Sequence, residues 1–204
     1  MQNVYGLVVT VPHKAELASL IEHPVGRGRR LAAVNIARRE PDGSWSGDHL
    51  DGVGFVTSLN QRGWDVANKH VFLSGCGGAG AAIADALADA SVASLCLYDA
   101  DPVRTASLTS ILLRDYPGLL ISHGIRESQD FDLLVNATPL GMREDDPLPI
   151  PQTMLRPGRM VADIIMAPAR TRLLDRAERL GCAIHFGEAM LAAQMEMMLQ
   201  FFLR

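Results

Sequence analysis

The stretch that decides the fold is HVFLSGCGGAG, residues 70–80, where a short apolar run leads into a glycine-rich turn. An alanine-rich segment, residues 81–90, follows directly and is typical of a helix. In the pattern Gly-x-Gly-x-x-Gly, the first glycine permits a tight turn, the second lets the backbone approach a pyrophosphate, and the third lets helix and strand pack closely. We therefore expect a cofactor-binding loop formed by Gly75, Cys76, Gly77, Gly78, Ala79 and Gly80.

Strand-like and helix-like segments alternate from His70 onward. Alternation of this kind is typical of a parallel sheet with helices on both faces. The predicted fold class is α/β, with a C-terminal Rossmann-type, doubly wound parallel sheet. Strands are predicted at residues 70–74, 92–98, 131–136, 160–165 and 182–186, and helices at residues 81–90, 103–116 and 171–180.

The segment before His70 predicts a smaller, irregular α/β unit. We place three parts along the chain: a small domain at residues 1–65, the dinucleotide-binding domain at residues 66–186, and a C-terminal helix within residues 187–204 that packs back on the small domain. In the small domain, strands are predicted at residues 4–11, 31–38 and around Trp45, and a helix at residues 16–22.

The last helix carries six apolar residues at helical spacing, which indicates core packing. They are Met190, Leu191, Met195, Met198, Leu199 and Phe202.

Composition restricts the class of function. The chain has 204 residues, 48% of them hydrophobic, and a formal net charge of −4, without a basic stripe or a long apolar span. We therefore expect no nucleic-acid partner, no membrane segment and a cytoplasmic location, with a small molecule as partner. Cys76, Cys96 and Cys182 lack metal-ligand spacing, so we interpret them as small buried hydrophobes and expect no metal site.

Further segments identify a family when they are taken in order with the glycine loop. These segments are VVTVPHK at 8–14, AVN at 33–35, GDHLDGVGF at 47–55, NATPLGM at 136–142, VAD at 161–163 with Pro168, and GEAMLAAQ at 187–194. With them, the chain resembles the shikimate/quinate dehydrogenase family from its first residues to its last. This resemblance implies a two-domain α/β fold, a nicotinamide cofactor and reversible hydride transfer to a cyclic hydroxy acid.

By this resemblance, Lys14 and Asp51 match the family's catalytic lysine and aspartate. Oxidation of a carbinol removes a hydroxyl proton as well as a hydride, so a titratable group must lie within hydrogen-bond reach of that oxygen. The sequence leaves open which of the two residues moves the proton. Without the resemblance, they would be read as an exposed loop charge and a turn residue.

Thr10, Asn35 and Gln194 match family positions that bind the hydroxyls and carboxylate of the substrate. As structural residues they would be a strand threonine, a turn amide and an exposed helix residue. Asn35 fits that second interpretation poorly, because its amide lies in an apolar run and would be costly to bury unpaired.

Asp99 ends the second predicted strand of the cofactor unit, where a carboxylate can accept hydrogen bonds from the adenosine ribose. Because that carboxylate would repel a 2′-phosphate, we predict NAD over NADP, although NADP stays possible through the nearby Arg104. Asp99 could instead be a helix cap or turn residue. The resemblance also implies cofactor contacts for Thr138, Pro139, Ile164 and Gly187.

The chain departs from the family pattern at several points. It begins at the strand containing Thr10, so we expect the small domain to lack the family's opening βα units. Met1 could be a true start, a chosen boundary or the edge of a partial gene model. His49 and Leu50 replace the Asn and Thr that precede the aspartate in the family motif, and Met166 stands where a tyrosine is usual.

These departures keep three functions open. The first is an NAD(P)-dependent dehydrogenase of a shikimate-like or quinate-like acid, acting as a monomer or homodimer. The second is an NAD-binding relative without dehydrogenase activity. The third is an enzyme of the same type that acts on an altered ring acid.

Overall fold

A small mixed sheet and a large parallel sheet divide the chain in the computed structural model, which describes residues 3–203. Met1, Gln2 and Arg204, which fall inside the outer predicted domains, lie outside the described residues. The small sheet consists of β1 (Gly6–Val8), β2 (His23–Pro24), β3 (Ile36–Arg39) and β4 (Trp45–Asp48), in the order β1-β3-β4-β2. Helices α1 (Lys14–Leu20) and α2 (Gly26–Leu31) connect its strands.

Two predictions for this region were wrong in their details. The predicted strand at residues 31–38 begins only at Ile36, because Leu31 ends α2 and Ala32 caps it in the left-handed conformation, with φ of 48°. Helix α3 (Asp51–Gln61), which leads out of the small sheet, was not predicted. Its two early glycines, Gly52 and Gly54, have low helix propensity and concealed it.

The large sheet has the strand order expected of a Rossmann-type fold. Counted from its first strand, the order reads 3-2-1-4-5-6 with all pairs parallel, so the predicted α/β class is confirmed. Strand β7 was missed in the sequence. The strands are β5 (His70–Ser74), β6 (Ser94–Tyr98), β7 (Leu120–His123), β8 (Leu133–Asn136), β9 (Met160–Asp163) and β10 (Ala183–Phe186).

Four helices and a short 3₁₀ helix complete this part of the chain. They are α4 (Gly78–Asp89), α5 (Pro102–Asp115), the 3₁₀ helix Gln152–Met154, α6 (Arg172–Arg179) and α7 (Gly187–Phe202). Because side chains alternate along a strand, Val71 and Leu73 face the core under α3, α4 and α5, whereas Phe72 faces the core under α6. Both faces of the sheet are therefore covered, as the prediction required.

Helix α7 runs back to the small sheet but is only partly buried. Met198 and Phe201 pack against Ile36 of β3. The prediction that the Met-rich face is core was wrong for Met195, which is 61% exposed, and for Leu199, which is 57% exposed. Across residues 3–203, no helix is both long enough and apolar enough to cross a membrane.

Close backbone contact joins α3 to α4. A Cβ added to Gly52 would lie 1.9 Å from the carbonyl oxygen of Ala82, where only a glycine fits. This contact holds the helix that leaves the small sheet against the first helix of the large one.

We expect Gly52→Ala to destabilise the protein by roughly 1–3 kcal/mol, because α3 must move off α4 to relieve the clash. Denaturant unfolding would measure this change. Gly118→Ala is the control, since a Cβ there meets nothing within 4 Å. Equal stability of the two variants would contradict the interpretation.

Candidate active site

A buried ion pair joins two segments that are far apart in the sequence. Lys14 is the first residue of α1 and Asp51 is the first residue of α3. The ammonium of Lys14 donates to Oδ2 of Asp51, and both residues are buried, at 7% and 5% exposure. The structure thus brings together the two residues that were predicted to be catalytic.

Two buried amides extend this pair. Asn35 Nδ2 donates to Asp51 Oδ1 at 2.8 Å and lies 3.3 Å from Oε1 of Gln194, a second acceptor. Asn35 Oδ1 accepts the backbone N–H of Leu50 at 2.9 Å. Asn35 and Gln194 are 2% and 1% exposed, so the structural interpretation of Gln194 as an exposed helix residue does not hold.

Thr10 lies apart from these residues. It is exposed on the loop between β1 and α1, beside Val9, whose N–H donates to the carbonyl of Asn35 at 2.8 Å. Within residues 3–203, no hydrogen bond joins Thr10 to Lys14, Asn35, Asp51 or Gln194. Its predicted contact with substrate stays a prediction.

The glycine loop has the shape needed to hold a phosphate group. Gly75 has φ of +101°, and a Cβ on Gly80 would lie 1.9 Å from the Gly75 carbonyl oxygen, so the turn and the helix–strand contact both require glycine. Beside Gly77, by contrast, a Cβ would meet nothing within 4 Å. Among residues 3–203, no side chain caps the start of α4 at Gly77, so its first N–H groups are available to an anion.

The ion pair and the glycine loop are neighbours. A Cβ on Gly78 would lie 3.7 Å from Cδ of Lys14, which places the lysine stem against the start of α4. The candidate proton-transfer groups and the candidate phosphate-binding loop therefore form one site between the two sheets.

Asp99 also binds the glycine loop. Its Oδ2 accepts the N–H of Cys76 at 2.7 Å, and its Oδ1 accepts the N–H of Asp101 at 2.9 Å. The cap of α5 is Asp101, which accepts the N–H of Val103, so Asp99 is not the helix cap. Its bond to the N–H two residues on is that of a turn residue, the other structural interpretation. Asp99 is half-buried at the carboxyl end of β6.

The remaining predicted cofactor residues lie along the same edge of the large sheet. Thr138 and Pro139 follow β8, Ile164 follows β9, and Gly187 follows β10. A Cβ on Gly187 would lie 2.6 Å from the carbonyl of Ile164, so the backbone of α7 approaches β9 closely here. Ligands of parallel α/β sheets bind at this carboxyl edge, outside the point where the strand order reverses.

A hydrogen-bonded network under this edge was not recognised in the sequence. Asn136 Oδ1 accepts both the N–H and the hydroxyl of Thr138, at 3.0 and 2.7 Å. Asn136 Nδ2 donates to Asp163, which also accepts the hydroxyl of Thr171 at 2.7 Å. Burial raises the pKa of Asp163. Both Asn136 and Asp163 lay in the quoted motifs, but only the loop after Asn136 was given a role.

The replaced motif residues lie in different environments. Leu50 packs against Ile36, Met198 and Phe201, and Met166 is 51% exposed. His49 is completely buried, and neither ring nitrogen has a hydrogen-bond partner within residues 3–203.

The cysteines behave as buried hydrophobes, as predicted. Cys76, Cys96 and Cys182 are all free and buried. Burial raises the pKa of the Cys76 thiol to about 11, so it is protonated at neutral pH and is not an activated nucleophile.

Known proteins of related sequence cover nearly the whole chain. The shikimate dehydrogenase (NADP(+)) of Rubrobacter xylanophilus is 37% identical over 193 residues, which is 93% of this chain and 68% of the relative. That of Rhodospirillum rubrum is 35% identical over 195 residues, 93% of this chain and 69% of the relative. No protein-family model matches the chain.

Solved structures show the same likeness across both sheets. The shikimate 5-dehydrogenase of Listeria monocytogenes, in complex with shikimate and NAD, is 25% identical with a TM-score of 0.87, covering 99% of this chain and 74% of that chain. The quinate dehydrogenase of Corynebacterium glutamicum, in complex with NAD, is 26% identical with a TM-score of 0.86, covering 98% and 73%. The ligand-free 5-ketofructose reductase of a Gluconobacter strain is 27% identical with a TM-score of 0.85, covering 99% and 74%.

Two buried histidines predict how stability depends on pH. Burial lowers the pKa of His49 and of His185 to about 4. Both rings are neutral in the fold, whereas the unfolded chain binds protons below pH about 6.5. The stability that they contribute is therefore complete above pH 6.5 and is lost as the pH falls towards 4.

Between pH 7.5 and 5, we expect each histidine to remove about 2 kcal/mol from the free energy of unfolding. Denaturant unfolding at the two pH values would measure the loss. His49→Gln should lose less stability over this interval than the unmodified chain, because only one of the two buried imidazoles, that of His185, remains. An unchanged pH dependence in His49→Gln would contradict the assignment.

Proposed function

The chain belongs to the shikimate dehydrogenase family, and from this membership we propose that it catalyses nicotinamide-dependent, reversible oxidation of a ring hydroxyl in a shikimate-like or quinate-like acid. The observation that carries the proposal is the buried Lys14–Asp51 pair, whose lysine stem lies against the glycine loop at Gly78. A charge pair that served only stability or solubility would not need to be buried beside the glycine loop. Removal of charge from water is costly, and chemistry on a bound substrate accounts for the arrangement.

The two charged groups take different parts in the proton transfer that we propose. Asp51 already accepts from Lys14 through one oxygen and from Asn35 through the other, so it orients the ammonium. Lys14 Nζ is then the group that exchanges a proton with the substrate oxygen. In the reducing direction the same ammonium stabilises negative charge on the carbonyl oxygen.

The amides near the pair are suited to hold the ring. Asn35 and Gln194 share a hydrogen bond beside Asp51, and a hydroxyl or carboxylate of the substrate would replace that weaker contact of 3.3 Å. Thr10, exposed at the entrance, would bind a further oxygen. Buried polar groups that lose their partners are penalised, so these residues select ring acids with hydroxyls in matching positions.

A nicotinamide dinucleotide fits the residues present. The open space beside Gly77 and the uncapped start of α4 suit its pyrophosphate, and the bound nicotinamide accepts or donates the hydride. Thr138, Pro139, Ile164 and Gly187 would hold the nicotinamide end along the sheet edge. Asp99, at the end of β6, would bind the adenosine ribose.

We propose a preference for NAD over NADP, although the curated relatives named above carry NADP(+) in their names. Support comes from Asp99, whose carboxylate is fixed at the sheet edge by the N–H groups of Cys76 and Asp101. A fixed negative charge there would repel a 2′-phosphate. The nearby cation, Arg104, lies 3.6 Å from the Asp101 carboxylate, which offsets its charge.

Lys14→Met should lower kcat by about 10²–10⁴-fold, because the variant keeps an apolar stem as far as Cε but lacks the ammonium that transfers the proton. NAD reduction with shikimate, quinate and other cyclic hydroxy acids would measure turnover, and calorimetry would check that NAD still binds. Lys69→Met is the control, since Lys69 is 40% exposed and pairs with Asp132. Unchanged turnover in Lys14→Met would exclude this mechanism.

The same assay separates the other possible functions. An unmodified chain that binds NAD but oxidises no ring acid would be a cofactor-binding relative without this activity. Because a similar solved structure is a 5-ketofructose reductase, 5-ketofructose belongs in the reducing assay.

Asp99→Asn should reduce the ratio of kcat/KM with NAD to kcat/KM with NADP by about tenfold, because the variant removes a charge close to the 2′ position. Asp65→Asn is the matched control: Asp65 is exposed and, like Asp99, accepts the N–H of the residue two positions on, but it lies before β5 and away from Arg104. A preference for NADP in the unmodified chain, or an equal change in both variants, would overturn the role of Asp99.

A further inference from the structure

Residues that precede the large sheet contact one face of α4 along its whole length. Positions 78, 82, 85 and 89 share this face, because they are separated by four, three and four residues. Lys14 contacts the first position and Gly52 the second. Arg27 and Arg30 reach the third, and Arg27 also reaches the fourth. The small sheet is thus fixed to α4 over about three helical turns.

A buried carboxylate lies at the centre of this face. Asp85 is 0% exposed and accepts from Arg27 Nε at 2.8 Å. Arg30 Nε lies 3.1 Å from the other oxygen, as an ion pair without hydrogen-bond geometry. Burial raises the pKa of Asp85, and the two guanidinium groups oppose that shift.

The tyrosine that follows α5 as its C-cap completes the group, which we call the Asp85 cluster: Asp85, Arg27, Arg30 and Tyr116. Arg30 Nη1 donates to the Tyr116 hydroxyl at 3.2 Å, and its guanidinium lies 5.7 Å from the centre of the tyrosine ring. The hydroxyl lies 3.5 Å from Asp85. Two arginines of α2 are therefore held by two helices of the large sheet.

The cluster is connected to both halves of the candidate site. Along α4, Asp85 is two turns from Gly78, where the stem of Lys14 rests and the phosphate loop ends. Along the other chain segment, α2 ends at Leu31, and the strand that follows begins next to Asn35, the amide bonded to Asp51. A displacement of α2 on α4 would move Asn35 relative to Asp51, because α3, which carries Asp51, is held on α4 by its own contact at Gly52. It would also move Lys14, whose carbonyl accepts the N–H of Val34 at 2.9 Å.

The apolar contacts between α2 and α4 do not by themselves prevent such a displacement. Leu31 and Ala33 pack on Ala82, and apolar contacts of this kind are non-directional. Paired guanidinium and carboxylate groups are directional, and a buried charge left without its partner is penalised.

We propose that the Asp85 cluster is a positioning device for the reaction: it sets the small sheet on α4 so that the Lys14–Asp51 pair and the bound cofactor meet in reactive geometry. This inference rests on the proposed function. Its residues touch neither substrate nor cofactor and act through the placement of α2. Misplacement of reacting groups by about 1 Å can reduce the rate by up to 10²-fold.

The test compares Asp85→Asn and Asp85→Glu with Asp89→Asn. Asp89 pairs with the same arginine from the same helix, but its side chain is 58% exposed, so it controls for loss of one charge. Steady-state kinetics with shikimate and NAD give kcat and KM. Shikimate deuterated at the reacting carbon gives the isotope effect, and calorimetry gives the Kd for NAD.

We expect Asp85→Asn to lower kcat by about tenfold or more and to raise the isotope effect, with the Kd for NAD changed less than about twofold. Asp85→Glu should recover part of kcat, and Asp89→Asn should stay within about twofold of the unmodified chain. A purely stabilising role would lower the melting temperature but leave kcat and the isotope effect of folded molecules unchanged. That result would overturn the proposal, and so would an equal loss of kcat in Asp89→Asn.

Two further measurements keep the outcome decisive. If Asp85→Asn does not fold, Arg27→Gln, which keeps the Arg30–Asp85 contact, carries the same kinetic test. If the unmodified chain oxidises no ring acid, the proposed function fails and the role of the cluster in the reaction fails with it. Hydrogen exchange then shows separately whether the cluster fixes α2 on α4: faster exchange at residues 26–31 and 78–89 in Asp85→Asn than in Asp89→Asn would show that it does, and equal exchange that it does not.

Discussion

The burial of the Lys14–Asp51 pair is the constraint on which the arrangement of the small sheet depends. A charge removed from water needs a partner and further hydrogen bonds, and each oxygen of Asp51 is supplied with one donor, Lys14 or Asn35. Those donors come from separate elements: Lys14 from α1 and Asn35 from the segment before β3. The turn of the chain from β4 into α3 is fixed in the same way, because Asn35 accepts the N–H of Leu50. The chemistry and the local fold therefore require the same contacts.

Close backbone approach is what allows this buried pair to lie beside a cofactor loop. Gly52 lets α3 touch α4, Gly54 lets α3 touch α7 near Gln194, and Gly80 lets α4 return against Gly75. In each case a Cβ would lie within 2.3 Å of a neighbouring atom. Because Cβ atoms do not approach other atoms more closely than about 3.0 Å, a side chain at any of these positions would force its neighbour to move. The low helix propensity of the two glycines in α3 is the cost of this proximity.

The features of the fold that were predicted correctly from the sequence are those that depend on short-range patterns of residues. The alternation of apolar segments and the glycine loop were enough for the parallel sheet, and the ordered motifs were enough to bring Lys14, Asp51, Asn35 and Gln194 together. It did not predict α3, because its glycines are explained only by contacts with Ala82 and Gln194, which lie more than twenty residues away. The exposure of Met195 and Leu199 was missed for a related reason: helical spacing shows that a face is apolar but not whether another element covers it.

The Asp85 cluster shows the limit of motif-based reasoning most clearly. Arg27 and Arg30 would be read from sequence as solvated charges on a short helix, and Asp85 as a polar residue in an alanine-rich one. Their role depends on the contact between Arg27 and Asp85, which are 58 positions apart in the sequence. The candidate site follows the same logic, since Lys14 and Asp51 belong to the small sheet while the glycine loop belongs to the large one. Neither sheet holds the proposed reacting groups alone, so the proposed chemistry belongs to the interface, and on this proposal the residues that fix the interface share in the reaction without touching its substrates.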